Sequence, residues 1–344
     1  MQRWKNRPEG SNWGEFGADD QLGRLNLLTP DKVLQGIAEV KAGISFCLSL
    51  PLDYPGGNVL NPRRHPPRRF ATIRGDAPNY NFAIRREDPA ATDILSDDAV
   101  LIHTQYSTQW DALSHVGSLF DADGDGVAEP VYYNGWRAET HVSGPSGHDD
   151  GCGIPFEGVC AHALGIENAA AKPIQGRGVL IDLHARFGRA RHLVGYDDLM
   201  RAMDEGRATV ETGDMVCLYT GFADVILEMG RKPDPHTAET SCAVLDGRDK
   251  RLLRWITESG LATLIADNYA VEAYPARPAD GPRPVLPLHE HCLFKLGVHL
   301  GELWYLTALA RWLRANGRSR FLLTAPPLRL PGAVGSPVTP VATV

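Results

Sequence analysis

The sequence predicts an α/β fold, and three features of the chain support this class. Short apolar segments alternate with amphipathic ones between residues 178 and 325, a pattern typical of helices packed against a sheet. Apolar residues make up 43% of the 344 residues and charged residues only 22%, which allows a sizeable core. No Gly/Ser-rich linker divides the chain. We therefore predict one domain spanning 1–344, with long loop insertions at about 51–69 and 136–155.

The first elements predicted from the N-terminus are a helix and a strand. The helix covers 29–43, with Thr29 as its N-cap. Residues 44–50 alternate between apolar and polar side chains, which predicts a strand. The segment 51–69 is rich in Pro, Gly and Arg and is predicted to be a surface loop. Its basic run at 63–69 is short and interrupted by Pro, so we interpret it as solvated.

The rest of the chain continues the alternation. Predicted strands cover 99–107, 178–183, 214–220, 262–267 and 321–325, and predicted helices cover 195–205, 249–259 and 302–316. The tail from Pro331 combines Pro and Gly with β-branched residues. It therefore indicates disorder and a packed strand about equally.

Composition excludes several functional classes. The formal net charge is −7 and no basic stripe is present, so we expect no nucleic acid partner. No stretch approaches the ~18 apolar residues of a membrane helix, and the first residues lack the apolar segment of a signal peptide. The six cysteines are scattered without a Cys-x-x-Cys pair, which favours reduced thiols and a cytoplasmic location.

The first group of candidate ligands lies around residues 103–115. Alternate side chains of a strand share a face, and an extended chain through Asp111 would place several donors together. That face carries His103, Gln105, Ser107, Gln109 and Asp111, with Trp110 on the opposite face. His115 follows closely enough to fold back over the same pocket.

A second group lies further along the chain, where five candidate ligands occur in fourteen residues. They are His289, Glu290, His291, His299 and Glu302. We expect Glu302 at the start of the last helix, where the helix dipole favours a carboxylate. Taken singly, each group is more typical of hydrogen-bonded turns and core histidines than of a metal site.

Several longer motifs resemble one known family. They include STQWDALSHVG at 107–117, RGVLID at 177–182, DNYAVE at 267–272 and PLHEH…LGELW at 287–304. These segments resemble the longer branch of the metal-dependent cyclase family, which includes bacterial kynurenine formamidase and isatin hydrolase. The resemblance runs from about residue 12 to the end. It implies a swivelling β/β/α-type single domain with a mixed central sheet and flanking helices, and a homodimer or homotetramer.

The resemblance also implies roles for individual residues. Short members of the family carry His-x-Gly-Thr-His-x-Asp-x-Pro-x-His, and here Gln105 and Gln109 take the positions of the two leading histidines. The implied metal ligands are Gln109, Asp111 and His289, with Glu302 as a fourth, and His115 is the implied acid–base residue. Amide oxygens are harder ligands than imidazoles. We therefore expect a single Mn²⁺ or Zn²⁺ ion, with Mg²⁺ as an alternative, rather than a two-zinc site.

These residues predict a metal-dependent hydrolase that acts on a small molecule. It would cleave an amide, cyclic amide or lactone through a metal-activated water, with His115 as general acid and base. An amidohydrolase acting on a C–N bond is favoured over a lactonase. The alternatives are a cyclase or lyase on the same scaffold and a non-catalytic small-molecule-binding relative. Candidate substrate-binding residues are Trp13, Trp110, Gln105 and His103, and His103 is also a candidate replacement ligand.

Overall fold

A nine-stranded mixed sheet forms the centre of the computed structural model, which describes residues 2–145 and 158–344. In chain order its strands are β1 (Ser45–Cys47), β2 (Gln109–Asp111), β3 (Gln175–Asp182), β4 (Met215–Tyr219), β5 (Thr263–Ala266), β6 (His299–Glu302), β7 (Arg320–Thr324), β8 (Gly335–Pro337) and β9 (Val341–Thr343). Their spatial order is β1-β9-β7-β3-β4-β5-β6-β2-β8. Strands β3 to β6 run parallel, and the flanking strands are antiparallel to their neighbours. The α/β class and the mixed central sheet are confirmed.

Helices cover both faces of this sheet. The α-helices are Pro30–Ala38, Ile166–Ala171, Leu183–Phe187, Tyr196–Glu205, Phe222–Glu228, Pro235–Thr240, Lys250–Ser259, Pro287–His289 and Thr307–Ala315, and a π-helix covers Glu290–Leu296. Short 3₁₀ turns lie at Gly23–Leu27, Ile84–Arg86 and Tyr133–Gly135. Thr29 caps the first helix by accepting a hydrogen bond from Lys32 N, as predicted. Within the described ranges, every helix is too short or too polar to cross a membrane.

The core has two sides because the central strands alternate their side chains. On β3, Val179 and Ile181 pack on one face with the helices that carry Leu199 and Ile256. Leu180 lies on the other face, with the helix Thr307–Ala315. Strands that are buried on both faces have continuous apolar sequences. The sequence therefore predicted these strands well.

Smaller two-stranded sheets surround the central one. They pair Arg68–Ala71 with Asp98–Leu101, Ile73–Arg74 with Ala77–Pro78, Phe82–Ala83 with Ile94–Leu95, Ser118–Phe120 with Glu129–Val131, Val142–Ser143 with Cys160–Ala161, and His192–Val194 with Ala243–Leu245. The loop predicted at 51–69 is irregular up to Pro67. Residues 146–157 of the loop predicted at 136–155 lie outside the described residues.

Two predicted elements near the candidate ligands are wrong. The strand predicted over 99–107 ends at Leu101 and belongs to a peripheral pair. After it the chain turns, with Tyr106 N donating to His103 O, before β2 begins at Gln109. Local hydrogen bonds therefore replace the extended conformation. His103 and Gln105 do not continue the strand face that carries Gln109 and Asp111.

The last predicted helix also begins later than expected. Glu302 ends strand β6, and the helix starts at Thr307. Leu303, with a φ of 55°, turns the chain between the two elements. The C-terminal tail forms β8 and β9, and Ala342 and Val344 are fully buried. The packed-strand alternative for the tail is therefore confirmed.

Candidate metal centre

The side chains of two neighbouring strands form the floor of the candidate site. Strands β6 and β2 are antiparallel, and Glu302 lies directly opposite Gln109. Gln109 and Asp111 are both fully buried on one face of β2. Trp110 lies on the other face, where its Nε1 donates to Ala325 O at 2.8 Å. Strand alternation thus places two candidate ligands on β2 beside the carboxylate of β6.

His289 joins this floor from the end of a short helix. Its Nδ1 donates to Glu272 Oε1 at 2.8 Å, and its backbone N–H donates to the same oxygen at 2.9 Å. The opposite ring nitrogen, Nε2, lies 3.2 Å from Glu302 Oε1 and 3.9 Å from Asp111 Oδ2. Glu272 therefore fixes the ring so that Nε2 is directed at the two carboxylates.

The donor set fits a divalent cation. Ligand atoms of Asp111, His289 and Glu302 all lie within 4.8 Å of one another, and the three residues are buried. Gln109 Nε2 donates to both carboxylates at 3.2 Å. Its Oε1 and Asp111 Oδ2 are buried without a hydrogen-bond partner among the described residues. Unpaired buried oxygens cost free energy, and a cation held by oxygen and imidazole ligands would satisfy them.

The charges of the cluster also favour a bound cation. Burial raises the pKa of Asp111 above its ordinary value. Burial alone would lower the pKa of His289. Hydrogen bonds to Glu272 and Glu302 together have a larger effect and raise this pKa to about 10. The bond to His289 in turn lowers the pKa of Glu302 in spite of burial. A positive charge beside these buried carboxylates, from His289 or from a bound cation, would offset the cost of burying them.

An open pocket of about 260 Å³ leads from this floor to the surface. It is lined by Asn61, Arg63, Arg64, His115, Tyr269, Ala270, Tyr274, Leu286, His289 and Glu302. His115 Nε2 lies 3.9 Å from Asp111 Oδ1, and about a fifth of the side chain is exposed. His115 thus borders both the buried carboxylates and the open pocket.

The structure brings five predicted site residues together and separates the others from the pocket. The five are Gln109, Asp111, His115, His289 and Glu302. Trp13 and Trp110 are fully buried in the core, so neither lines the pocket. His103 lies at the surface with its Nδ1 3.1 Å from His65 O. Gln105 lines a smaller neighbouring cavity of about 10 Å³.

Several site residues were not identified from the sequence. Glu272, Arg64 and Tyr269 have no spacing relationship to the ligand groups, because long connections separate them from β2 and β6. The polar residues that follow strand β5 offer a signal, since the carboxyl ends of parallel strands commonly form sites. After this strand Ala270 and Val271 have φ values of 69° and 57°. Such conformations are unfavourable for these residues and cluster at functional sites.

Comparisons with known proteins identify the family and the fold. A family model described as "Putative cyclase" matches residues 48–273. The crystal structure of a novel cyclase is 31% identical, covers 97% of each chain and gives a TM-score of 0.72. Isatin hydrolase A from Ralstonia solanacearum (14% identity, 87% of this chain and 91% of that chain, TM-score 0.54) and from Labrenzia aggregata, bound to benzyl benzoate (14%, 91% and 97%, 0.53), share the fold. No curated protein gives a significant match. The chain therefore belongs to the cyclase family.

Proposed function

We propose that the protein is a metal-dependent hydrolase that cleaves an amide, cyclic amide or lactone bond of a small molecule, with a C–N bond favoured. The observation that carries this proposal is the buried cluster of Asp111, His289 and Glu302 at the base of a pocket bordered by His115. The isatin hydrolases, which share the fold, support hydrolysis over other chemistries.

The cation would be held by Asp111, His289 Nε2 and Glu302, and by Gln109 Oε1 once the amide turns this oxygen, instead of Nε2, toward the carboxylates. We favour Mn²⁺ or Zn²⁺, with Mg²⁺ as the alternative, because three of the four ligands offer oxygen and one offers imidazole nitrogen. When bound, such a cation supplies Lewis-acid chemistry, which polarises a carbonyl and makes water more acidic.

His115 is positioned to move protons. Its ring lies at the boundary between the buried carboxylates and the pocket, 3.9 Å from Asp111. Imidazole exchanges protons near neutral pH. His115 would accept the proton that an attacking water loses and donate it to the leaving nitrogen or oxygen. The same residue could serve ring closure, the second candidate reaction, which the cyclase description of the matching family favours.

Elemental analysis of the purified protein, followed by a hydrolysis panel, tests the proposal. We expect about one Mn or Zn per chain, lost in Asp111→Ala and retained in the exposed control Asp98→Ala. His115→Ala should retain the metal but lose about 10²–10⁴-fold in turnover of amides, imides or lactones. A folded Asp111→Ala protein with full metal content, or a fully active His115→Ala protein, would contradict the assignment. Release rather than consumption of water would identify a cyclase or lyase.

A further inference from the structure

Arg64 lies inside the pocket although the sequence placed it in a solvated basic run. Its side chain is half-buried and lines both the main pocket and the small neighbouring cavity. Nη1 donates to Gln105 O at 2.9 Å. Among residues 2–145 and 158–344, no carboxylate lies within 4.0 Å of this guanidinium, in contrast to Arg177 and Arg314, which are paired. Arg64 therefore has unused donors beside the site.

The carboxylates of the candidate metal centre do not neutralise the charge of Arg64. The carboxylates of this centre, Asp111 and Glu302, have hydrogen-bond partners of their own in Gln109 and His289, and a divalent cation would neutralise them. Arg63 adds a second, exposed cation at the mouth of the same pocket. The pocket thus offers two cationic side chains, Arg63 and Arg64, to an anionic ligand.

The pocket also has an aromatic lining. Tyr269 and Tyr274 both line it, with ring centroids 6.4 Å apart and planes at 81°. The same two rings border a further cavity of about 160 Å³ that also contacts Leu60 and Phe222. A ligand that fills this space would place a flat or apolar group against the tyrosines and a charged group against Arg64.

We propose that Arg64 binds a carboxylate of the substrate, so that the substrate is a flat, anionic amide or lactone with its carboxylate near the scissile carbonyl. Guanidinium groups bind carboxylates through two parallel, charge-assisted hydrogen bonds. The identity of the cleaved bond rests on the proposed function, whereas anion binding by Arg64 does not. Arg64 is a specificity-determining residue in this assignment.

Calorimetric titration with benzoate and its neutral isostere benzamide tests this role without turnover. Both probes are titrated into wild type, Arg64→Gln, Arg64→Lys and the exposed control Arg85→Gln, with and without Mn²⁺. Benzoate should bind more tightly than benzamide to wild type. Arg64→Gln should weaken benzoate binding roughly tenfold or more in both metal states and leave benzamide unchanged. Arg64→Lys should be intermediate, because a lysine keeps the charge but not the paired donors.

Four outcomes would overturn the assignment. They are undetectable benzoate binding to wild type at millimolar concentration, unchanged benzoate affinity in Arg64→Gln, benzoate binding that requires Mn²⁺ but not Arg64, and equal losses for benzoate and benzamide. The third would assign the carboxylate to the metal, and the fourth would reveal damage to the loop through the Gln105 contact. A negative hydrolysis panel with an intact Arg64 effect would reject only the proposed reaction.

Discussion

At the scale of single residues, the orientation of His289 depends on Glu272. This buried carboxylate accepts hydrogen bonds from His289 Nδ1, from His289 N and from Leu288 N. The three contacts fix both the ring and the backbone that carries it. Carboxylates behind a ligating histidine commonly orient the ring and increase its basicity. Glu272 is therefore a positioning residue for the candidate metal centre.

Replacing Glu272 with Gln should weaken metal binding. The amide keeps the shape of the side chain but carries no charge and offers one acceptor instead of two. We expect a 10–100-fold loss of Mn²⁺ or Zn²⁺ affinity, measured by competition with a chromogenic chelator. Glu290→Gln is the matched control, because Glu290 accepts from Ser118 Oγ rather than from His289. Equal metal affinity in Glu272→Gln and wild type would show that His289 needs no such support.

At the scale of elements, the sequence predicted long, buried segments accurately and short ones poorly. Strands β3, β4 and β5 and the helices Tyr196–Glu205 and Lys250–Ser259 lie close to their predicted bounds, because each has a continuous apolar run or a clear 3.6-residue period. Strand β2 has three residues, too few for a period to show. Its face is set by pairing with β6 and β8.

The candidate site could likewise be predicted only in part from local sequence patterns. The ligand groups at 109–111 and 289–302 could be identified by residue type and by resemblance. The strand that holds Glu302 could not, because Leu303 and the following residues continue an apolar pattern that a helix also satisfies. Arg64 reaches the pocket, and Glu272 reaches His289, through non-local packing that the sequence around each residue does not encode.

The C-terminal tail provides a test at this scale. Ala342 on β9 is fully buried between β1 and β7, whereas the adjacent Val341 is 39% exposed. Ala342→Asp would bury an unpaired charge and should lower the free energy of unfolding by about 3 kcal/mol or more. Val341→Asp, the control, should cost less than about 1 kcal/mol. Urea denaturation measures both, and similar small effects would show that the tail is not an integral strand.

At the scale of the whole molecule, a buried ionic network joins the N-terminal helix to the central sheet. Asp214 is fully buried and pairs with Lys32 Nζ at 2.9 Å and with Arg177 Nε at 2.9 Å. Arg177 also contacts Glu211 at 2.7 Å. These residues come from the first helix, from β3 and from the turn before β4. Removing Asp214 would leave the buried charges of Lys32 and Arg177 without this partner, which is strongly destabilising.

Glu211 makes the stability of this network depend on pH. The hydrogen bond from Arg177, assisted by Arg320, lowers the pKa of Glu211 to about 2. A depressed folded-state pKa contributes stability above the unfolded-state value, about 4.3, and this contribution is lost as pH falls toward 2. Because Glu211 is half exposed, solvent screening limits the contribution to about 1 kcal/mol.

The free energy of unfolding of wild type should therefore exceed that of Glu211→Gln at pH 7, and the difference should shrink between pH 5 and pH 3. Glu258→Gln, at an exposed position outside the network, is the control variant. A difference of the same size at pH 3 and pH 7 would assign the effect of Glu211 to packing and hydrogen bonding rather than to its charge.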